Sequence, residues 1–180
     1  MQTFKLTFLA TALLIVTSSF VTPDVEVEEK VEWVTFEEAL ELNKENPKKI
    51  LIDMYTSWCG WCKRMDRDTY SNETIADYIN KNFYPVKFNA EQRENVVVNG
   101  TTFKFVPSGR RGYHELAANL MGGKMSYPTT VFLDENLRII SPVPGYLPAS
   151  KMEVIINFIS GEHYKSTQFP EYEREFQSML

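Results

Sequence analysis

The sequence predicts an α/β sandwich, a mixed central sheet flanked by helices, with a β-hairpin inserted between its two halves. Three observations predict it. Apolar strand patterns alternate with amphipathic helix patterns through the first half of the chain. Two strands about a tight turn, and then a helix, close the second half. Between them, Val96-Val97-Val98, Asn99-Gly100 and Thr101 to Phe105 form a hairpin signal, because Asn-Gly supplies the two positive-φ positions of a type I′ turn.

Taken in order, Thr35-Phe36-Glu37-Glu38 is a capping box that opens a helix running to about Asn46, ended by Pro47. Lys49 to Tyr55 is a short apolar run suited to a buried central strand. A helix to about Asp68 follows Trp58-Cys59-Gly60-Trp61-Cys62-Lys63. Ser71 or Asn72 caps the next helix, Ile75 to Asn82, and Tyr84 to Asn89 is a second strand. Past the hairpin, Tyr113 to Met121 reads as a helix stopped by Gly122-Gly123. Thr129 to Asp134 and Leu137 to Ser141 are strands about a turn at Glu135-Asn136. Ser150 caps a last core helix, Lys151 to Ile159, and Glu171 to Met179 forms a short tail helix.

The 180 residues divide into a signal peptide at 1–20, a charged linker at 21–33, one domain at 34–160 and an extension at 161–180. The signal reading rests on Lys5, the apolar run Leu6 to Val16 and the small residues Thr17-Ser18-Ser19. That run is short for a spanning helix, which needs about 20 residues, so membrane attachment is expected only if the signal segment stays uncleaved. The protein is therefore expected to be periplasmic or otherwise exported. Its formal net charge of −5 argues against a nucleic-acid partner.

Cys59 and Cys62 are the only cysteines. Two cysteines are too few for a disulfide scaffold, and a bond at this spacing closes so short a loop that it adds little stability. Chemistry explains the pair better than stapling does: C-x-x-C is a redox motif. His114 and His163 are far from it in sequence and do not complete a zinc set. The sequence calls for no metal and no cofactor.

Ile50 to Lys63, with its Cys59-Gly60-Trp61-Cys62 core, resembles the first-strand and active-site signature of the thioredoxin superfamily. Tyr127-Pro128-Thr129-Thr130-Val131-Phe132-Leu133-Asp134 resembles its second signature, the cis-proline loop and the strand after it. The resemblance spans roughly Val34 to Ile159. With Met65 and Asp66 behind the motif, it is most like the exported bacterial thioredoxin-like group, also called thioredoxin-7 or thioredoxin-related proteins.

The resemblance implies a thioredoxin fold and thiol–disulfide exchange at Cys59 and Cys62. A residue at a helix start meets unpaired N–H groups and the positive end of the helix dipole, which favour a thiolate at Cys59. Cys62, one turn deeper, is placed to resolve a mixed disulfide. Asp53 is an acid inside an apolar strand, where burial raises its pKa. The resemblance implies that it accepts the proton of Cys62, with Lys87 as its partner. It also implies a cis bond at Pro128 and a Tyr127 backbone open to an extended substrate strand. Trp58, Gly60 and Trp61 complete the expected substrate platform.

The expected function is an exported thiol–disulfide oxidoreductase that reduces protein disulfides and draws electrons from a membrane donor. The alternatives are an oxidase or isomerase, and a binding or chaperone-like module whose disulfide is incidental. Thioredoxins carry Gly-Pro between the cysteines where this chain has Gly60-Trp61, which bears on redox potential. The inserted hairpin is either a partner surface or a tolerated loop extension.

Overall fold

The computed structural model describes residues 30–180. The expected signal peptide and residues 21–29 of the expected linker lie outside the described residues. Two of the remaining linker positions are packed: Val31 is buried, and Trp33 meets Tyr70 edge to face at 4.8 Å between ring centroids.

Helix α1 (Phe36–Glu45) begins at Thr35, where the capping box closes: Glu38 N–H donates to the Thr35 hydroxyl, and the Glu38 carboxylate accepts from Thr35 N–H. Strand β1 (Lys49–Tyr55) is buried along all but its last residue, as its largely apolar pattern leads one to expect. Helix α2 (Gly60–Met65) carries the cysteines, followed by a π-helical turn (Asp66–Tyr70), helix α3 (Glu73–Asn82) and strand β2 (Phe83–Asn89). The insertion holds β3 (Val96–Val98), β4 (Thr101–Phe103), β5 (Phe105–Val106) and β6 (Tyr113–His114). Helix α4 (Glu115–Leu120), strands β7 (Thr129–Leu133) and β8 (Ile139–Pro144), and helices α5 (Ala149–Ser160) and α6 (Phe169–Glu175) complete the chain.

The sheet order is β2-β1-β7-β8, with β1 parallel to β2 and antiparallel to β7. Side chains alternate across it. Leu51 and Phe132 face α3 and α5, with Met65 and Tyr70 in the same apolar cluster. Ile50, Ile52, Met54 and Val131 face α1 and α4. The structure is an α/β thioredoxin fold with a mixed four-stranded sheet and small added hairpins.

Several boundaries differ from the sequence reading, four of them with a clear physical cause. The helix expected to reach Asp68 becomes a π-turn after Met65. The Ser71 hydroxyl donates to the Arg67 carbonyl, which an α-helix would have offered to Ser71 N–H, and that N–H bonds Asp66 O instead. The helix expected from Tyr113 starts at Glu115, because Tyr113 and His114 pair with Val106 and Phe105. His114 then caps α4 by accepting Leu116 N–H at Nδ1. Helix α5 is capped by Pro148 rather than Ser150: the Pro148 carbonyl accepts from Lys151 and Met152 N–H, and no side chain caps this end. The tail helix ends at Glu175, and Met179 N–H donates to the buried Glu153 carboxylate. At the inserted hairpin, Asn99 and Gly100 both have positive φ, 49° and 79°, as an Asn-Gly turn requires.

Candidate functional site

Cys59 is the N-cap of α2. The first helical N–H groups need acceptors, and Cys59 Sγ receives the Cys62 N–H at 3.0 Å. Cys59 and Cys62 form a disulfide with S–S 2.03 Å and Cα–Cα 5.3 Å. Both are nearly covered, at 5 % and 3 % exposure, while Trp58 and Trp61 beside them are about half exposed. Gly60 is the first residue of α2, and a Cβ there would meet nothing within 4 Å. The Tyr127–Pro128 peptide bond is cis, and Pro128 is buried.

Two aromatic pairs stand at the rim. Trp58 meets the Tyr127 ring edge to face at 6.0 Å, and its indole N–H reaches the Glu91 carboxylate at 3.0 Å. Trp61 lies 5.5 Å from Tyr146, and the Arg64 guanidinium sits over both rings at 5.2 and 5.4 Å. Arg64 is itself held by Asp68 at 3.0 Å. Burial raises the Tyr127 phenol to about 12, helped by the Glu91 charge.

A polar row interrupts an otherwise apolar sheet face. Strand register sets Lys87, Asp53 and Thr130 side by side on β2, β1 and β7. Side-chain alternation puts Asp53 on the face of Leu51, the side that carries Met65 and Tyr70. Asp53 is 1 % exposed, and neither carboxylate oxygen has a hydrogen-bond partner among the described residues. The Thr56, Tyr70 and Thr130 hydroxyls are buried in the same condition. Buried polar atoms of this kind are normally satisfied, in many cases by internal water. Burial raises the Asp53 carboxyl to about 7, with a further push from the Asp66 charge and an opposing pull from Lys87. A carboxyl there exchanges a proton near neutral pH.

The sequence reading paired Lys87 with Asp53. The two stand opposite each other in the ladder, where the Lys87 ammonium donates to Asp66 at 2.6 Å and acts on Asp53 through its charge. The π-turn supplies that acceptor, and from its other end it supplies Tyr70, whose pKa burial and the Asp53 charge drive well upward. Tyr70, Tyr146, Glu91 and Arg111 were not singled out from sequence, and Asp66 and Thr130 entered the sequence reading only as parts of the two signatures. Arg111 belongs to a stretch without acids, residues 95–114, which charge patterning can flag.

The histidines are engaged elsewhere. Because Nδ1 of His114 accepts an N–H, Nε2 carries the proton and donates to Glu94 O at 3.0 Å. His163 packs against Tyr172 at 4.6 Å. Among the described residues, no group of three or more His, Cys, Asp or Glu is placed to hold a metal ion, and no helix is long and apolar enough to cross a membrane.

A family model described as "Protein of unknown function, DUF255", of the thioredoxin DsbH type, matches residues 11–161. The chain belongs to this family. Among curated relatives of this DUF255 chain, an uncharacterized protein of Caenorhabditis elegans is 28 % identical over 131 residues, 71 % of this chain and 16 % of the nematode protein. An uncharacterized protein of Archaeoglobus fulgidus is 31 % identical over 108 residues, 60 % of this chain and 76 % of that one. Spermatogenesis-associated protein 20 of Rattus norvegicus is 33 % identical over 67 residues, 37 % of this chain and 8 % of the rat protein. The chain thus spans about a sixth of the nematode relative's length. Among solved structures, a thioredoxin-fold protein from Helicobacter pylori superposes with TM-score 0.57 at 17 % identity, covering 83 % of this chain and 93 % of that one. A thioredoxin from Thermus thermophilus superposes with TM-score 0.54 at 16 % identity, covering 77 % and 98 %. Both are likenesses of fold.

Proposed function

We propose that this DUF255 protein is a thiol–disulfide oxidoreductase that reduces protein disulfides. The observation that carries the reading is the Cys59–Cys62 disulfide at the start of a helix, with a buried carboxyl on the strand that leads into it. In the reduced protein, the Cys59 thiolate attacks a substrate disulfide. The substrate S–S bond breaks, one substrate sulfur leaves and takes a proton, and a mixed disulfide forms at Cys59. Cys62 then gives its proton to Asp53 and attacks Cys59 Sγ, releasing the second substrate thiol. Two electrons pass to the substrate, and the Cys59–Cys62 disulfide remains. An external dithiol must restore the pair; for an exported protein this role belongs to a membrane donor. The apolar run at residues 6–16 supports the export reading.

The reducing direction follows from what stabilises the Cys59 thiolate. A strong oxidant needs a heavily stabilised thiolate, which favours its reduced form. Here the supports are modest: the start of a six-residue helix, an uncharged Trp61 and an exposed Lys63, while Arg64 is neutralised by Asp68. The couple is expected near about −270 mV rather than −120 mV. Dithiothreitol-driven reduction of insulin tests the activity, and equilibration against glutathione tests the direction. A pair that stays fully reduced at about −180 mV would make the protein an oxidant.

A further inference from the structure

The insertion folds back onto the redox site. Its first end provides Glu91, which accepts the Trp58 indole N–H. Its far end provides Arg111, whose guanidinium lies 4.2 Å from the Trp58 ring centroid. The loop that carries Arg110 and Arg111 is tied down on both sides. Strands β5 and β6 pair across it, with Val106 opposite Tyr113, and Arg111 N–H donates to Ser108 O. Gly112 closes it with φ 115°, and a Cβ there would sit 2.3 Å from the Phe105 ring and 2.6 Å from Val106 O, so only glycine lets the chain pass.

The charge of this arm runs against that of the whole protein. Net charge is −5, yet between Glu94 and Glu115 the chain has Lys104, Arg110, Arg111 and no acid. Arg64, on the other side of the disulfide, is already paired with Asp68. Among the described residues, neither Arg110 nor Arg111 has an ion-pair partner, and both are exposed. A planar guanidinium laid on an indole has its remaining N–H donors set in one plane, a geometry that suits a carboxylate.

We propose that the insertion is the specificity arm of the redox site, and that Arg111, with Arg110 beside it, binds an acidic side chain flanking the target cystine of an extended polypeptide substrate. The inference rests on the oxidoreductase reading and narrows its substrate class. Trp58 and Tyr127 offer the adjacent apolar surface, so the favoured segment joins a half-cystine to nearby Glu or Asp.

The test uses three disulfide-linked, fluorophore–quencher peptide pairs that differ only in having Glu, Gln or Lys beside the cysteine, with dithiothreitol as electron source. The intact protein is expected to reduce them in the order Glu, Gln, Lys. The Glu peptide should lead the Gln peptide by about two- to fivefold in kcat/KM, the range of an exposed charge pair, mainly through KM. Arg111→Ala should collapse that ratio, whereas Arg111→Lys, which keeps the charge, should preserve the order. Flanking charges also alter the peptides' own reactivity, so the comparison with Arg111→Ala is decisive. Raising salt to about 0.5 M should shrink the preference, because the screening length then falls well below 10 Å. An equal rate on all three peptides, or a preference unchanged in Arg111→Ala, overturns the inference alone. Reduction of none of them overturns the oxidoreductase reading as well.

Discussion

Lys87 stands directly opposite Asp53 in the β1–β2 ladder, yet its ammonium donates to Asp66 at 2.6 Å. The buried carboxyl is therefore set between two opposite charges that hold each other, one on the neighbouring strand and one on the π-turn. Asp66 raises its proton affinity and Lys87 lowers it. Asp66→Asn removes the first and leaves the second, so Asp53 should titrate below about 7. Lys87→Met should move it the other way. Infrared or NMR titration of the Asp53 carboxyl in the two variants checks this, and shifts in the same direction would rule the arrangement out.

Asp53 should cost stability at neutral pH. Its folded pKa of about 7 exceeds the ordinary 3.8, so the folded protein keeps a proton that the unfolded chain releases between these values. The stability tied to that proton is full below about pH 4 and is lost as pH rises through 7. Asp53→Asn should thus gain on the order of 4 kcal/mol over the wild type at about pH 8, and little at about pH 4. Reductase turnover should fall on the order of 10²-fold, as for loss of a general base. Denaturant unfolding at both pH values decides the first part: an equal gain at each contradicts it.

The two cysteines should separate in a trapping experiment. Cys62→Ser leaves Cys59 to form mixed disulfides that nothing resolves, so substrate proteins should accumulate on it. Cys59→Ser should capture essentially none, because Cys62 lies inside α2, away from the helix start that favours a thiolate at Cys59. Non-reducing gels read the outcome, and the reverse pattern would exchange the roles.

Tyr70→Phe should be close to neutral for stability, within about 1 kcal/mol, since the buried hydroxyl it removes meets only the Thr130 hydroxyl, in a contact short of a well-formed hydrogen bond. It makes the surroundings of Asp53 less polar, so the pH–rate profile should move upward. A loss above about 2 kcal/mol in urea unfolding would mean the hydroxyl is bonded after all.

Gly112→Ala and Gly100→Ala should differ although both glycines have positive φ, 115° and 79°. At Gly100 the new methyl meets nothing within 4 Å, so the cost is backbone strain alone, about 1 kcal/mol. At Gly112 it also runs into Phe105 and Val106 O, and the arm must shift. Iodide quenching of tryptophan fluorescence should rise in Gly112→Ala only, as Arg111 leaves the Trp58 ring; equal quenching would mean that the arm does not depend on Gly112.

The sequence by itself determined what local chemistry can carry. The capping box at Thr35 and Glu38, the short apolar run of β1 and the Asn99-Gly100 turn are short-range devices, and each lies where its pattern puts it. Cys59 and Cys62 share one turn, so their disulfide is local as well. Asp53 stood out because a lone acid in a buried strand violates the pattern around it. What only the tertiary structure decided are contacts between residues far apart in the chain. Lys87 chose Asp66 because a π-turn, produced by one serine hydroxyl taking a helix carbonyl, brought that carboxylate over β1. Arg111 reached Trp58 across more than fifty positions because β5 and β6 close a loop that neither strand signals strongly alone. Periodicity reports which way a side chain faces along one element; which charge waits on the neighbouring element depends on packing that no local pattern encodes.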